Sequence, residues 1–321
     1  MTKLLLPVAV MITFFIAATI TPAHGANWPS KIFAPYMYVG AGDNFKLTDC
    51  DDACGQKYYT LAFIIADHQN NAAWDGRIPM EANFYAKQIG AIRRRGGDVI
   101  VSFGGAAGNE LALVNSDMTR LQSKYQSIID RYKLTWLDFD IEGDALANTA
   151  ANQRRNTALA GLQARNPGLI VSYTLPVDPD GISDDAQRLL QDAERQGVKV
   201  YSANVMTMDF GPTFSHGRKM SDVSIASAIK AHEQCRKIDP GILIGLTPDL
   251  GQNDEKSEIF TEDDAKALKS WAVTQPWVCS LSFWSSNRDC GKLGPKDDDT
   301  WSGIPQRPWD FTNIFKGFTA H

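Results

Sequence analysis

The chain has 321 residues, of which 44% are hydrophobic and 21% are charged, and its formal net charge at pH 7 is −5. This composition is typical of a soluble globular protein that buries one large core or two small ones. The sequence contains no basic run, which argues against nucleic acid as a partner. Its histidines form no HExxH motif and its cysteines no paired CxxC motif, which argues against the common zinc sites.

The first 25 residues have the pattern of a secretory signal peptide. Lys3 supplies a positive charge, residues 4–20 are mostly apolar, and residues 23–25 (Ala-His-Gly) place small residues where signal peptidase cleaves. The apolar run is short for a membrane span, although a retained anchor is the alternative. We therefore predict a secreted protein, extracellular or periplasmic, with residues 26–321 as its single domain and no membrane association after cleavage.

The cysteines are odd in number, so they cannot all pair within one chain. They are Cys50, Cys54, Cys235, Cys279 and Cys290. A secreted protein can keep disulfide bonds, and Cys50 and Cys54 are close enough in sequence to bridge within a helical turn. Cys279 and Cys290 bracket one predicted strand, so we expect them to lie apart. The remaining pairing stays open.

From residue 26 onward, strand-like apolar runs alternate with amphipathic helical runs. Strands are predicted at residues 32–39, 58–66, 98–103, 134–142, 169–175, 198–208, 242–246 and 278–284. Helices are predicted at residues 80–95, 114–132, 148–165, 183–196, 221–237, 261–273 and 308–318. Strands rich in Val, Ile and Leu that alternate with helices indicate a parallel sheet covered on both faces.

Eight such units in about 250 residues predict an α/β fold of the (β/α)₈ TIM-barrel type. The alternative is a doubly wound open sheet, which usually has a glycine-rich turn after its first strand, and none follows Val39. The segment between strands seven and eight is too short for an additional α+β insertion. We therefore expect an open, shallow cleft.

The predicted fourth strand carries an unusual row of acids. Asp138, Asp140 and Glu142 alternate with apolar residues and share one face with Trp136. Carboxyl groups crowded in a poorly hydrated place cannot all ionise, and a protonated carboxyl beside an ionised one suits general acid catalysis. A Ca²⁺ or Mg²⁺ cluster and an ordinary solvated strand face are the alternatives.

Polar residues also follow the other predicted strands. They are Asp67, His68, Ser102, Gly104, Gly105, Asp209, Asp249, Trp284 and Asn287. In a TIM barrel the active site lies at the C-terminal ends of the strands. Any one of these residues is more often a loop cap, but their presence at the same end of so many strands favours a common site.

Three motifs resemble those of glycoside hydrolase family 18, the chitinase family. Residues 135–142 (Thr-Trp-Leu-Asp-Phe-Asp-Ile-Glu) match the last three acids of the family pattern Asp-Gly-x-Asp-x-Asp-x-Glu. Residues 102–105 (Ser-Phe-Gly-Gly) match Ser-x-Gly-Gly, and residues 206–209 (Met-Thr-Met-Asp) match Met-x-Tyr-Asp except at Met208. A tryptophan on the last strand, Trp284, also fits. The resemblance covers strands three to eight and is greatest to compact bacterial chitinases with Leu-Asp-Phe-Asp-Ile-Glu-Gly.

The resemblance implies a retaining hydrolase of β-1,4-linked N-acetylglucosamine chains that needs no metal or cofactor. The open cleft favours endo-acting hydrolysis, and we expect a monomer. Glu142 would be the general acid and base, and Asp140 would orient the 2-acetamido group of the substrate. Asp138 would share a proton or a hydrogen bond with Asp140, so that the three acids titrate as a unit. The alternatives are an endo-β-N-acetylglucosaminidase acting on N-glycans, a non-catalytic chitin-binding lectin on the same barrel, and a metal-dependent barrel enzyme.

The same resemblance assigns the substrate-binding residues. Trp284 would form the floor under the sugar that is cleaved, and Gly104 and Gly105 would leave room for a neighbouring backbone or for the sugar. Met208 has no hydroxyl group where the family has tyrosine, so another donor is needed, and Tyr173 is our hypothesis for it. The remaining candidates are Ser102, Met206, Asp209 and Trp74. If Asp209 contacts Glu142, the sixth strand must end or bulge near Met208.

Overall fold

The computed structural model describes residues 28–41, 46–291 and 299–319. The predicted signal peptide at residues 1–25 lies outside the described residues. The eight barrel strands are β1 (two ladder segments, Ile32–Phe33 and Tyr36–Tyr38), β2 (Tyr58–Ala66), β3 (Asp98–Gly104), β4 (Trp136–Asp140), β5 (Ile170–Asp178), β6 (Val200–Met206), β7 (Leu243–Thr247) and β8 (Val278–Leu281). The prediction of eight strands at these places is confirmed.

Helices alternate with the strands and contact one another in sequence order around the barrel. They are α1 (Leu47–Cys54), α2 (Ala86–Arg94), α3 (Leu111–Val114), α4 (Met118–Tyr132), α5 (Gly143–Ala147), α6 (Thr149–Arg165), α7 (Asp184–Gln196), α8 (Pro212–Ser215), α9 (Met220–Ile238), α10 (Glu262–Thr274) and α11 (Asp310–Phe315). Within the described ranges, none of these helices has the length and apolarity needed to span a membrane.

The parallel strands form a ring in which the first strand, β1, is hydrogen-bonded to both β8 and β2. Each strand from β2 to β8 pairs in parallel with the next. The backbone N–H of Ala34 donates to the carbonyl oxygen of Leu281 on β8 at 3.0 Å, and the N–H of Thr60 on β2 donates to Pro35 at 2.9 Å. The chain therefore forms the predicted (β/α)₈ barrel.

Local sequence explains where the helices begin and end. Thr261 and Asp264 form a capping box at the start of α10, in which each side chain accepts from the other's backbone N–H. At α7, Ser183 caps the first turn by accepting from Ala186, and Gly197 ends the helix in the left-handed conformation. Both starts were predicted from the sequence.

The strands that build the top of the barrel differ in length from the prediction. Strand β4 ends at Asp140 rather than at residue 142, and Glu142 is the N-terminal cap of the unpredicted helix α5. Strand β6 ends at Met206 rather than at residue 208. Between β7 and β8 the structure has only a two-stranded hairpin (Gly251–Gln252 with Ile259–Phe260) and α10, so no α+β insertion is present there.

An aromatic cluster fills the N-terminal end of the barrel interior. Trp136 packs edge-to-face against Trp28 and Tyr201, with ring centroids 5.2 Å apart in both pairs. Its indole N–H donates to the hydroxyl of Ser172 at 3.0 Å. Trp136 therefore packs in the core at this end of the barrel.

Candidate active site

A cavity of about 330 Å³ opens at the C-terminal ends of the strands. Its aromatic wall consists of Tyr36, Tyr38, Phe63 and Trp284, which come from β1, β2 and the segment after β8. The remaining wall is rich in acids, which are Asp75, Asp140, Glu142, Asp209, Asp249, Asp254 and Asp299. A concave surface with an aromatic side and carboxyl groups suits an uncharged polar ligand such as a sugar.

Asp138 lies beneath the cavity and is held by hydroxyl groups from three other strands. Its Oδ2 accepts from Tyr36 at 2.9 Å and from Ser102 at 2.7 Å, its Oδ1 accepts from Ser172 at 2.6 Å, and both oxygens are 3.0 Å from Thr174 Oγ1. Burial raises the pKa of Asp138, and these hydrogen bonds oppose that rise. The carboxyl group is therefore fixed in place without a cationic partner.

Asp140 and Glu142 form a coupled pair above Asp138. Asp140 is 4% exposed, and its Oδ1 has no hydrogen-bond partner among the described residues. The pKa of Asp140 is raised well above its usual range, and burial is the largest cause. The charges of Glu142 and Asp138 and a hydrogen bond with Glu142 raise it further. Burial also raises the pKa of Glu142, while that hydrogen bond opposes the rise and Asp209 adds to it. The pair therefore retains a proton at higher pH than free carboxyl groups would.

This arrangement differs in one respect from the expectation that Asp138 and Asp140 share a hydrogen bond. The oxygens of Asp138 are surrounded by hydroxyl donors, whereas the hydrogen bond of Asp140 is made with Glu142. Asp138 acts on Asp140 through its charge, which raises the pKa of Asp140. The pKa values of Asp140 and Glu142 are therefore linked at the upper pair, next to the cavity.

Gly104 and Gly105 allow the backbone of β4 and the ring of Phe63 to approach β3. A Cβ atom on Gly104, whose φ is +104°, would lie 2.0 Å from the carbonyl oxygen of Asp140. A Cβ atom on Gly105 would lie 2.6 Å from the ring of Phe63, and the Gly105 N–H donates to the Asp140 carbonyl oxygen at 3.0 Å. Both glycines therefore determine where Asp140 and the aromatic wall lie.

Trp284 is a half-buried side chain on the wall of the cavity. Its ring stacks on Phe63 with centroids 5.6 Å apart and an interplanar angle of 11°, and it packs against Tyr38 at 5.4 Å. This packing holds the indole in one orientation. An aromatic platform of this kind can contact the apolar C–H face of a pyranose ring.

The segment after β6 places Met206, Met208 and Asp209 on the cavity wall. The strand ends at Met206, and Asp209 adopts a left-handed backbone conformation with a φ of +51°. This change of direction lets Met208 and Asp209 line the same cavity, although they would lie on opposite faces of a regular strand. The carboxylate of Asp209 accepts from the backbone N–H of Glu255 at 2.7 Å.

Five of the predicted binding residues do not line the cavity, namely Ser102, Gly104, Gly105, Trp74 and Tyr173. Ser102 and the two glycines instead contact Asp138, Asp140 and Phe63. Trp74 and Tyr173 pack in other parts of the core. Trp74 is completely buried, and its indole N–H donates to the hydroxyl of Tyr132 on α4 at 3.0 Å. Tyr173 lies between two inward-facing residues of β5, so its side chain points outward, where its hydroxyl donates to Asn156 on α6. The hypotheses that Trp74 binds sugar and that Tyr173 replaces the family tyrosine are therefore wrong.

Other residues that follow the strands have local structural roles. Asp67 accepts from the backbone N–H groups of Gln69 and Asn71 at 2.8 and 2.7 Å, and therefore caps its own turn. Asn287 bonds both backbone polar groups of Tyr38, at 2.8 and 3.0 Å. For these positions the common loop-cap explanation holds.

Sequence reasoning missed several residues of the site, among them Tyr36, Thr174 and Arg288. Tyr36 donates to Asp138 and lines the cavity, and Thr174 bonds both carboxylate oxygens. Arg288 lines the cavity and pairs with Asp249, with 3.4 Å between Nε and Oδ1. The inward parity of Tyr36 and Thr174 on their strands was a usable signal. No pattern marked Arg288, because its position depends on the fold of two loops.

No disulfide bond joins any two of the five cysteines in the structure. The sulfur atoms of Cys50 and Cys54 lie 3.2 Å apart within α1, a distance longer than a disulfide bond. The two residues are therefore neighbours, as their spacing predicts, but no disulfide bond joins them.

No family model matches the chain. Two curated proteins are 30% identical to it: the probable bifunctional chitinase/lysozyme of Escherichia coli K12, over 91% of this chain and 35% of that protein, and endochitinase 11 of Metarhizium anisopliae, over 82% of this chain and 53% of that protein. The chain thus spans about a third to a half of the length of these relatives. The crystal structure of active domain 2 of the Pyrococcus furiosus chitinase, in complex with chito-oligosaccharides, is 32% identical, has a TM-score of 0.82 and matches over 92% of this chain and 96% of that domain.

Proposed function

The chain belongs to glycoside hydrolase family 18, and we propose that it is a chitinase that hydrolyses β-1,4-linked N-acetylglucosamine chains with retention of configuration. One observation carries this proposal more than any other. Asp140 and Glu142, whose pKa values are both raised, line the same cavity as Trp284. A coupled acid pair with raised pKa values beside an aromatic platform supports acid-assisted cleavage of a sugar bond.

In the first step, protonated Glu142 donates its proton to the glycosidic oxygen, and the bond from that oxygen to the anomeric carbon breaks. The carbonyl oxygen of the substrate's own 2-acetamido group attacks the anomeric carbon and forms an oxazolinium ion. The carboxylate of Asp140 orients the acetamido group and stabilises the positive charge. The charge of Asp138, which is fixed by its hydroxyl partners, raises the pKa of Asp140.

In the second step, Glu142 acts as base. It takes a proton from a water molecule, which attacks the anomeric carbon and reopens the oxazolinium ring. Two inversions at the anomeric carbon give retention. The acids thus return to their starting protonation, so the cycle needs no added cofactor.

Two further features belong to the proposal. The lack of an insertion between β7 and β8 favours endo-acting hydrolysis within a chain over processive cutting from an end. The signal-like pattern of residues 1–25 supports secretion of a mature protein that begins near Ala26.

Proton NMR of freshly formed products provides the test. Purified protein is mixed with the N-acetylglucosamine hexamer, and the anomeric signals are recorded before mutarotation equilibrates them. Early excess of the β-anomer is expected because the mechanism retains configuration. Early excess of the α-anomer would contradict it, because a single displacement by water inverts the centre.

The same sample distinguishes the rival functions. Hydrolysis of an N-glycoprotein but not of the hexamer would indicate the endo-β-N-acetylglucosaminidase, and binding without hydrolysis would indicate the lectin. Loss of hydrolysis in EDTA, with recovery on adding Mg²⁺ or Ca²⁺, would indicate a metal-dependent enzyme.

A further inference from the structure

A buried carboxylate on the hairpin between β7 and β8 contacts the segment that follows β6. Glu258 lies in this hairpin, which we call the 251–260 hairpin, and is 1% exposed. Its Oε2 accepts from the backbone N–H of Phe210 at 3.1 Å, and its Oε1 accepts from that of Gly211 at 2.8 Å. A buried carboxylate costs free energy unless its oxygens are hydrogen-bonded. Glu258 obtains these bonds from the two residues directly after Asp209.

The 251–260 hairpin also contacts Asp209 itself. The N–H of Glu255 donates to Oδ1 of Asp209 at 2.7 Å. Asp209 has a φ of +51°, a left-handed conformation that is uncommon for residues other than glycine. The hairpin therefore bonds both the side chain of Asp209 and the backbone that follows it, and these bonds fix the turn in which the chain leaves β6.

Glu258 is in turn held by the rest of its hairpin. Its carbonyl oxygen accepts from Nε2 of Gln252 at 2.9 Å and from the N–H of Asn253 at 3.1 Å, and its own N–H donates to Glu255 at 2.9 Å. The side chain of Asn253 donates to the carbonyl oxygen of Asp249, just after β7, at 3.0 Å. The hairpin is thus bonded to the end of a barrel strand and provides a fixed support.

The position of Asp209 matters for the acid of the site. Asp209 and Glu142 line the same cavity, and the charge of Asp209 raises the pKa of Glu142. The other charged groups that act on these two carboxyl groups are Asp140, Asp254, Glu255, Glu258 and Arg288. Because the interaction of two charges weakens with distance, the effect of Asp209 on Glu142 depends on where the turn after β6 places Asp209.

We propose that Glu258 is a positioning residue of the active site, which holds Asp209 within electrostatic reach of Glu142 by accepting from the two N–H groups that follow Asp209. Glu258 does not line the cavity, so it acts through Asp209 and not on the substrate. This inference rests on the proposed function, since it takes Glu142 to be the acid of the reaction.

The first test replaces Glu258 with glutamine. The side chain keeps its size but presents an NH₂ group where one carboxylate oxygen accepts, so a backbone hydrogen bond is lost. As Asp209 moves away, the alkaline limb of the kcat/KM profile for the N-acetylglucosamine hexamer should move to lower pH. On that limb kcat/KM should fall roughly two- to fivefold, the effect of a partly exposed charge, and on the acid side it should stay within about twofold. An unmoved limb would overturn the proposal.

The second test separates positioning from the charge of Glu258 itself. Glu258→Gln is introduced into Asp209→Asn, which has no carboxylate left to position. The limb of the double variant should then coincide with that of Asp209→Asn, because the two changes act through one interaction. If Glu258→Gln shifts the limb equally in both backgrounds, it acts through its own charge and the proposal fails.

The matched control is a buried acid at the opposite end of the barrel. Asp98 begins β3, is 3% exposed, accepts from the N–H of Val99 at 2.8 Å and pairs with Arg93 at 2.8 Å. Both Asp98→Asn and Glu258→Gln should lower the free energy of unfolding in urea, but only Glu258→Gln should move the alkaline limb. Equal limb shifts in the two variants would indicate general loosening of the fold and would overturn the proposal.

Wild-type protein provides a measurement that remains decisive even if Glu258→Gln does not fold. The amides of Phe210 and Gly211 lie outside the helices and strands, yet they donate to a buried acceptor. In hydrogen exchange followed by NMR, both should exchange at least about tenfold more slowly than in an unstructured peptide. Exchange at the unstructured rate would show that Glu258 does not hold this turn.

The failure of this inference is distinct from failure of the proposed function. If wild-type protein does not hydrolyse the hexamer, the chitinase proposal fails. If it does, and Glu258→Gln leaves the alkaline limb in place, only the positioning role of Glu258 fails.

Discussion

Asp138 and Asp140 have the same side chain but lie in contrasting environments. Asp138 lies in the hydrogen-bonded barrel interior, and Asp140 lies at the cavity above it. Asp138 and Asp140 are two residues apart on β4, face the same side and are both almost completely buried. Hydroxyl groups from three other strands surround Asp138, whereas an oxygen of Asp140 has no hydrogen-bond partner in the described structure and its neighbour is another acid. Burial raises the pKa of both carboxyl groups, but the fold supplies hydrogen bonds to the lower one and leaves an oxygen of the upper one without them.

The comparison shows that the unsatisfied hydrogen-bonding capacity lies at the carboxyl group next to the cavity. A carboxyl group that already has its full set of hydrogen bonds cannot respond to a substrate, but it can hold a charge at a fixed position. A carboxyl group without them gains most when a ligand supplies them. The predictions that follow test this division, from the largest expected effect to the smallest.

The largest effect is expected when the acid of the upper pair is removed. Glu142→Gln keeps the shape of the side chain but cannot donate a proton, so turnover of the hexamer should fall about 100- to 10,000-fold. Hydrolysis rates measured beside Glu194→Gln, an exposed residue of α7, provide the control. Turnover within a factor of two of wild type would refute the role of Glu142.

The next effect concerns the stability provided by the lower carboxyl. Asp138→Ala removes the acceptor that Ser102, Ser172 and Tyr36 share, and the free energy of unfolding should fall by about 2–4 kcal/mol because buried hydroxyl groups lose their partner. Urea denaturation measures this loss. A much smaller loss would show that the hydroxyl groups find other partners and that the lower region is not held by Asp138.

Removing the charge of the upper carboxyl group should instead increase the stability of the fold at neutral pH. Burial and neighbouring charges raise the folded-state pKa of Asp140 above its unfolded value, so ionising it destabilises the fold as pH rises. Asp140→Asn should therefore raise the melting temperature at pH 7 by a few degrees, since about 1 kcal/mol corresponds to roughly 2–4 °C. The gain should vanish below about pH 4, where Asp140 is protonated in both states.

The same variant must lose turnover by orders of magnitude if Asp140 orients the acetamido group. If Asp140→Asn is more stable than wild type but fully active, ionised Asp140 destabilises the fold as expected. In that case Asp140 does not orient the acetamido group. Calorimetry across pH, combined with hydrolysis rates, distinguishes these outcomes.

The smallest effect is a shift in the pH profile. The charge of Asp209 raises the pKa of Glu142, and activity requires Glu142 to be protonated. Asp209→Asn should therefore move the alkaline limb of kcat/KM to lower pH. An unmoved limb, or one that moves to higher pH, would show that Asp209 does not act on Glu142 through its charge.

The site could be predicted only in part, and the residues explain why. The acids of β4 were found because alternation along a strand is a local property, and the same alternation explains why Tyr173 points outward. Trp74 was assigned wrongly because an antiparallel hairpin after β2 (Ala72–Trp74 with Ile78–Pro79) folds it back into the core. Its residue type is equally compatible with a sugar platform and with packing.

By itself, the sequence determined the order of strands and helices, the row of acids, the glycines beside it and the family. These features depend on neighbours within a few residues, where steric preference and periodicity act directly. Only the tertiary structure decided that Asp138 is held by hydroxyl groups, that Asp140 bonds Glu142, and that Arg288 meets Asp249. Those contacts join residues on different strands and loops, and barrel closure sets the distances between them.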